Sequence, residues 1–426
     1  MARATKCLIL LLLSSSLVSA QFKSTRLDDG LATTLKSDPG IVINRKNPAN
    51  IIASTATDIQ YTFDGGATWQ KVSGFSNAFL MSDDKGNIYS FYTETSGEGE
   101  QRVQQLKCQI SSDGGKIWTP AASVMNAKDQ HNPGAALDTK GNIWVAWTEF
   151  DKFGSADENC QSNVMLSSSS NGRKWSKPIQ ISQTPGNCKD DDSAAAGAIP
   201  AIGVDGKAFI TWSNQDKIFL DRSFSGGGLW LTNDIGVGPQ KGGWDMKIPG
   251  YDRCSGAPVL MINQSKSPAQ GSLYLVWADQ RNGEDDTDVW FIRSTNFGDN
   301  WTSPMKLGDD KNNHHQYSPA MTVDQTTGYI YVVYFDRDNY DDNQTDVMLA
   351  YSSDSGSSYK HVKINEAPFK PGSPAANGKA TAITAHKGVI AAVWTQVDGD
   401  QASLWTSVIK QTDLIQPPAN ASRKKK

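Results

Sequence analysis

An all-β chain assembled from one repeated unit is what this sequence predicts, and three observations predict it. A short turn-like stretch ending in an aromatic residue recurs six times, at 62–69, 111–118, 168–175, 223–230, 294–301 and 352–359. The copies start about 50 to 70 residues apart, and short β-branched and aromatic runs bounded by turn residues fill the intervals. Thirty-seven glycines and 13 tryptophans suit tight turns and short, well-packed strands.

Each position of the turn has a physical reason. One glycine is common to all copies: Gly66, Gly115, Gly172, Gly227, Gly298 and Gly356. It is expected to take a positive φ that other residues resist. Two positions before it stands Asp64, Asp113 or Asp354, or in the other copies Ser170, Ser225 or Asn296. Such side chains fold back onto turn amides. The closing aromatic is Trp69, Trp118, Trp175, Trp230, Trp301 or Tyr359. It is expected to open the next strand and pack back over the turn, locking it to its own sheet.

Three strands precede each turn and one follows. Second strands read at 87–92, 142–148, 208–212, 272–277 and 329–334. A seventh unit at 381–408 has three strands and no such turn, while 24–30 looks like a post-turn strand. These features predict a β-propeller of four-stranded antiparallel blades. Seven blades are favoured, with the N-terminal strand completing the last one and covering its edge. Six blades are the alternative. The propeller is expected over 21–410, with 411–426 as an unstructured tail ending in lysines.

The six turns resemble the Asp-box, or BNR repeat, of the sialidase superfamily, Ser/Thr-x-Asp-x-Gly-x-Thr-Trp. In that family the box is a structural device. The resemblance implies the propeller fold across nearly the whole chain and, by extension, activity on or binding of an acidic glycan. The catalytic signature of exo-sialidases is not reproduced. It comprises three arginines, a Tyr–Glu pair and an Asp, and its first arginine sits in an Arg-Ile-Pro motif that this chain lacks. Arg45 reads as a turn after a first strand, on the side of the boxes.

In an up-and-down blade the turns after strands one and three share a face, so the boxes mark one side of the ring. Loops after second strands and between blades share the other, called here the open face. Aromatic–acid pairs recur there, which makes Glu149, Asp279 and Asp336 candidate catalytic acids. The alternative reading is a solvated loop, or a salt bridge to Arg281 or Arg337. Arg253, Arg281 and Arg337 are candidate anion clamps. His131, His315 and Tyr317 lie in inter-blade connections as further ligand-binding candidates, with polar loop residues as the alternative.

Two longer loops, 151–159 and 184–196, flank the third blade on that face. A Cys160–Cys188 disulfide is expected between them, with Cys108 a buried thiol. Asp190–Asp192, or the acids of 284–288, offer oxygen ligands for Ca2+ without EF-hand spacing, and solvated acid is the alternative.

A basic start, an apolar run from Cys7 to Leu13 and a small-residue site ending at Ala20 read as a secretory signal over 1–20. An exported protein is therefore expected, with no transmembrane segment. A net charge of −4 without basic stripes argues against nucleic acid as a partner. Asn263, Asn300, Asn343 and Asn420 stand in glycosylation sequons. Three functions compete: a glycan hydrolase, a non-catalytic glycan- or protein-binding propeller, and a structural surface protein.

Overall fold

The computed structural model describes residues 22–28, 31–32, 38–74, 77–97, 102–125, 128–308, 313–371, 379–399 and 401–415. The expected signal over 1–20 and the end of the expected tail, 416–426, lie outside the described residues.

Seven antiparallel sheets form a closed ring. Blade 1 comprises Gly40–Ile43, Ile51–Ser54, Asp58–Thr62 and Gln70–Ser73, each strand paired with the next in sequence. Blades 2 to 6 repeat this order. Their first strands are Phe79–Ser82, Asp129–Leu137, Ala196–Ile202, Val259–Ile262 and Gln316–Val323. Blade 7 supplies Thr381–His386, Val389–Asp398 and Gln401–Lys410 from the C-terminal end. Its outer edge is covered by Thr25–Arg26, with Thr25 opposite Thr406, and by Leu31–Ala32. The N-terminal strand therefore closes the ring as the sequence predicts. Each first strand touches the first strand of the next blade, and blade 7 touches blade 1 in the same way.

The core lies between blades, because a four-stranded sheet must bury both faces against its neighbours. Ile52 and Tyr61 of blade 1 pack with Leu80 and Ile88 of blade 2. Phe91 and Leu106 of blade 2 pack with Ile143, Val145 and Trp147 of blade 3. Ile41 and Ile51 close the circle against Ala391, Val393 and Leu404. Trp147, Trp212, Trp277 and Trp394 occupy second strands and are almost fully buried. Truncating such a side chain costs about 3–5 kcal/mol.

All six boxes adopt the expected turn, and all six glycines have positive φ. In the first, Gly66 N donates to Thr62 Oγ1 at 3.2 Å, Thr68 N to Asp64 Oδ1 at 2.9 Å, and Trp69 Nε1 to the Gly66 carbonyl at 3.1 Å. Hydrogen bonds from the Thr68 hydroxyl, the Thr68 amide and the Thr62 hydroxyl hold the Asp64 carboxyl below the usual carboxylate range. Ser225 and Asn296 substitute for the acid by accepting from Leu229 N and Asn300 N. The third box departs from the alignment. It is one residue shorter, so Asn171, not Ser170, accepts the turn amides of Arg173 and Lys174.

The expectation that the aromatic serves its own sheet is incomplete. Trp175 packs edge-on against Phe91 of the preceding blade, 6.0 Å between ring centroids. Trp118 joins the core shared by blades 1 and 2, and Tyr359 the core of blades 5 and 6. The glycine faces the same way. A Cβ on Gly227 would lie 2.3 Å from Trp144 of blade 3, and one on Gly356 would lie 2.6 Å from Phe291 of blade 5. Each box thus staples its blade to the one before it.

Blade 7 has no box because its outer strand comes from the other end of the chain, leaving no turn between strands three and four. Its third strand instead runs into a helical turn, Gln411–Ile415. Leu414 is buried in the core with blade 6 residues, and Tyr351 OH donates to its carbonyl at 3.0 Å. Residues 411–415, expected as the start of the tail, thus pack against blade 6 at the joint that has no box.

Two adjacent glycines separate conformation from packing. Gly226 has φ +65° and its Cβ position touches only a carbonyl at 3.9 Å, whereas Gly227 has φ +84° and no room. Gly226→Ala is expected to cost about 1–2 kcal/mol, from backbone strain alone. Gly227→Ala should cost about 2–5 kcal/mol, because overpacking adds to strain. Urea unfolding of the two variants checks this, and equal losses would show that the box glycine serves only the turn.

Candidate functional site: the open-face mouth of the channel

First strands of all seven blades line a cavity of about 860 Å³ along the ring axis. Its middle is apolar, with Ile41, Leu80, Ala135, Ala198, Leu260 and Ile383 on the wall. Arg45 and His386 stand at the box end, where Arg45 pairs with Asp84 at 2.9 Å and its carbonyl meets His386 Nε2 at 2.9 Å. Arg45 is therefore on the box face, as expected.

The open-face mouth is where the repeat breaks down. Three first strands are bulged there, between His131 and Gly134, Ala196 and Ile199, and Tyr317 and Ala320. Asn132 (φ 51°), Gly197 (φ 73°) and Ser318 (φ 51°) turn the chain at these points. Bulges of this kind occur at rims and re-aim side chains. Asn132 and Ser318 carry backbone strain that the surrounding fold must hold.

Blade 3 contributes two aromatic rings. Its long loop brings Phe153 over His131, stacked at 4.1 Å and 10°. Phe153 remains 39% exposed, with one side open to the cleft. The disulfide Cys160–Cys188 ties this loop to the next inter-blade loop, and Gly154 N donates to the Cys188 carbonyl at 2.7 Å. The expected pairing is therefore present, and Cys108 is a buried thiol, as is Cys254.

A hairpin, Asp245–Ile248 with Tyr251–Ser255, is inserted between blades 4 and 5 and lies at the mouth. Arg253 anchors it, with Nε on Asp245 Oδ1 at 2.7 Å and Nη1 on Asp190 Oδ2 at 2.8 Å. The guanidinium also lies 5.3 Å from the Trp244 ring. Asp192 accepts from Asp245 N at 2.8 Å, and burial with the neighbouring Asp245 pushes its pKa up to about 6. Arg102 and Lys379 complete the cationic side of the mouth. Arg102 is exposed and forms no ion pair with any described residue.

The nominated residues divide sharply. His131 and Arg253 line the cleft. Glu149, Asp279 and Asp336, and with them Arg281, Arg337, His315 and Tyr317, do not border the channel. Asp279 is fully buried, accepting from Trp277 Nε1 at 2.8 Å and from Arg281 Nη2 at 2.6 Å, while Arg281 stacks on Trp290 at 4.1 Å. Glu149 faces Lys128 at 3.8 Å, and burial raises its carboxyl above the ordinary range. Asp336 is buried and accepts from Asp338 N at 2.8 Å. The reason is radial. These acids end second strands, one layer behind the channel wall, and only a long loop carries a side chain back to the axis.

The Asp190–Asp192 triplet also disperses. Asp190 goes to Arg253, Asp191 caps its own turn through Ser193 N, and Asp192 meets the hairpin. No group of three or more His, Cys, Asp or Glu among the described residues is placed to hold a metal ion. Asn263 is 1% exposed and so closed to glycosylation in the folded chain. Sequence reasoning marked the loop carrying Phe153 for its length but not for its ring, and passed over Arg102 and Trp244. An aromatic isolated in a polar loop was the available signal.

His315 is buried, with Nδ1 at 3.1 Å from Thr287 Oγ1. Burial, reinforced by the Arg337 cation, lowers its pKa from 6.5 to about 4. It is therefore neutral in the fold, while the unfolded chain takes up a proton below pH 6.5. Stability should fall as pH drops from 6.5 to 4, by on the order of 2–3 kcal/mol from this group. Urea midpoints of wild type and His315→Gln at pH 7 and 4.5 test it: the variant should lose less on acidification.

A scan against models of known protein families finds no match, and a search of curated proteins finds none. Among the described residues no helix is long and apolar enough to cross a membrane. Solved structures do match. The NanB sialidase of Streptococcus pneumoniae aligns with TM-score 0.51 at 8% identity, over 79% of this chain and 68% of that one. A protein of unknown function from Dyadobacter fermentans aligns with TM-score 0.50 at 11% identity, over 91% and 99%. At these identities the likeness is one of fold: this chain is an all-β, seven-bladed propeller, and its blades superpose in part on those structures.

Proposed function

We propose that this protein is an exported propeller that binds an acidic glycan at the open-face mouth of its channel. Export is supported by the N-terminal pattern and by the Cys160–Cys188 disulfide, which suits an oxidising compartment. The observation that carries the glycan reading is the exposed Phe153 ring, stacked on His131, with Arg102 on the same cleft and in no ion pair with any described residue. A flat apolar face offers a platform for a sugar ring, and a guanidinium holds a carboxylate bidentately. The similarity of fold to a sialidase supports the same class of ligand.

Binding is favoured over hydrolysis by one specific observation. Glycoside hydrolysis needs two carboxyl groups free to flank one bond. Asp129, the acid against the platform, is buried and accepts from Gln104 N and Phe153 N, and Asp190 and Asp245 both accept from Arg253.

Calorimetry with sialyllactose and galacturonate oligosaccharides, alongside their neutral counterparts, tests the reading. Phe153→Ala should weaken binding at least about tenfold, the size expected for losing one stacked ring. Arg102→Ala should abolish the preference for charged over neutral sugars. Unchanged affinity in Phe153→Ala would remove the mouth as the site. Release of free sugar by the wild type would turn the reading to hydrolysis.

A further inference from the structure

Among the described residues Arg337 is the one lysine or arginine that is buried. Arg253, Arg281 and Lys306 each face a carboxylate. Arg337 is 2% exposed and forms no ion pair with any described residue. Its Nε donates to Thr345 Oγ1 at 3.1 Å, Nη2 to Tyr317 OH at 3.0 Å and Nη1 to Asn343 Oδ1 at 3.4 Å. Its plane lies 5.0 Å from the Tyr317 ring. All of these partners are neutral. A guanidinium cannot shed its proton, and a buried charge without a counter-charge is strongly disfavoured.

No carboxylate of a described residue pairs with it: Asp342 feels its charge but is exposed and pairs with Lys370 at 2.8 Å. Burial pushes the Cys254 thiol up to about 12 and raises the Tyr251 and Tyr317 phenols above their ordinary value, so all three stay neutral. Two hydroxyls lie in the same cluster. Tyr251 OH faces the Tyr317 hydroxyl and Ser318 Oγ the Cys254 thiol, yet neither buried hydroxyl closes a well-formed hydrogen bond among the described residues. Tyr251 reaches in from the inserted hairpin, edge-on to Tyr317 at 5.7 Å, and Ser318 sits at a strand bulge with φ 51°. A buried cation paired with no described carboxylate therefore sits beside two hydroxyls whose protons are not firmly placed.

We propose that Arg337, Tyr251 and Ser318 form a buried site for a small monovalent anion, a halide or a compact carboxylate, which links the hairpin to blade 6. The anion accepts from the guanidinium and both hydroxyls. The site is separate from the mouth, since none of these three residues lines it.

The test uses the full chain in halide-free gluconate buffer at constant ionic strength, with gluconate replaced by chloride, bromide or formate. Wild-type Tm should climb with the logarithm of the added anion, by a few degrees between roughly 1 and 100 mM. A response to halide alone, or to formate as well, identifies the source. Arg337→Gln should remove the response. Tyr251→Phe, which keeps the ring, should move it to several-fold higher concentration. If Arg337→Gln does not fold, Tyr251→Phe and bromide-soaked crystals decide, with an anomalous peak expected against the guanidinium. An identical anion response in wild type and Tyr251→Phe, or no bromide at Arg337, would overturn the site.

Discussion

The contact on which the rest of the structure depends is the approach of each blade to the box glycine of the next. Where a Cβ would stand on Gly66 lies Val408, on Gly115 Ile52, on Gly172 Ile110 and on Gly298 Leu220, each from the preceding blade. The glycine thus has two jobs at one atom: it takes the positive φ of the turn and leaves room for a neighbour. A ring closes only if all of its joints hold. Six carry boxes, and the seventh carries the Gln411–Ile415 turn, whose Leu414 fills the place of the aromatic. Thr25–Arg26 then covers the one strand edge that closure by a single chain end leaves open.

That constraint decided which parts were legible from sequence. The staples repeat because every joint needs one, so they were readable as a pattern: glycine, aromatic and spacing. One misplacement, Ser170 in place of Asn171, came from counting backward from the glycine through a box one residue short. Recurrence misled where chemistry was sought. The aromatic and acid at the ends of second strands return in several blades, as Trp277 and Asp279 or Tyr334 and Asp336 do. In the fifth blade the pair serves the sheet itself. Trp277 Nε1 requires an acceptor inside the sheet, and Asp279 provides it.

Features that do not recur are the ones that reach the axis. Phe153 stands on a loop peculiar to blade 3, Arg102 beside a long hairpin of blade 2, and Trp244 at the start of an insertion that other blades lack. None has a counterpart at its blade position, so no alignment of units isolates it. Radial position is also invisible to periodicity. Alternation along a strand says which face of a sheet a residue occupies, not how far that strand lies from the centre of the ring.

The inserted hairpin joins the two ends of this argument. Arg253 and Trp244 hold one side of it to the loop of Asp190 and Asp191, at the mouth. Ile248, Tyr251 and Cys254 sink the other side into the core of blades 6 and 7 with Tyr317. A two-stranded hairpin has little stability of its own, so its position is set by these two attachments. They share one rigid element, and whatever tightens one lowers the cost of ordering the other. A charge balanced behind Tyr251 therefore acts on the surface that Arg253 presents, although no side chain spans the distance between them.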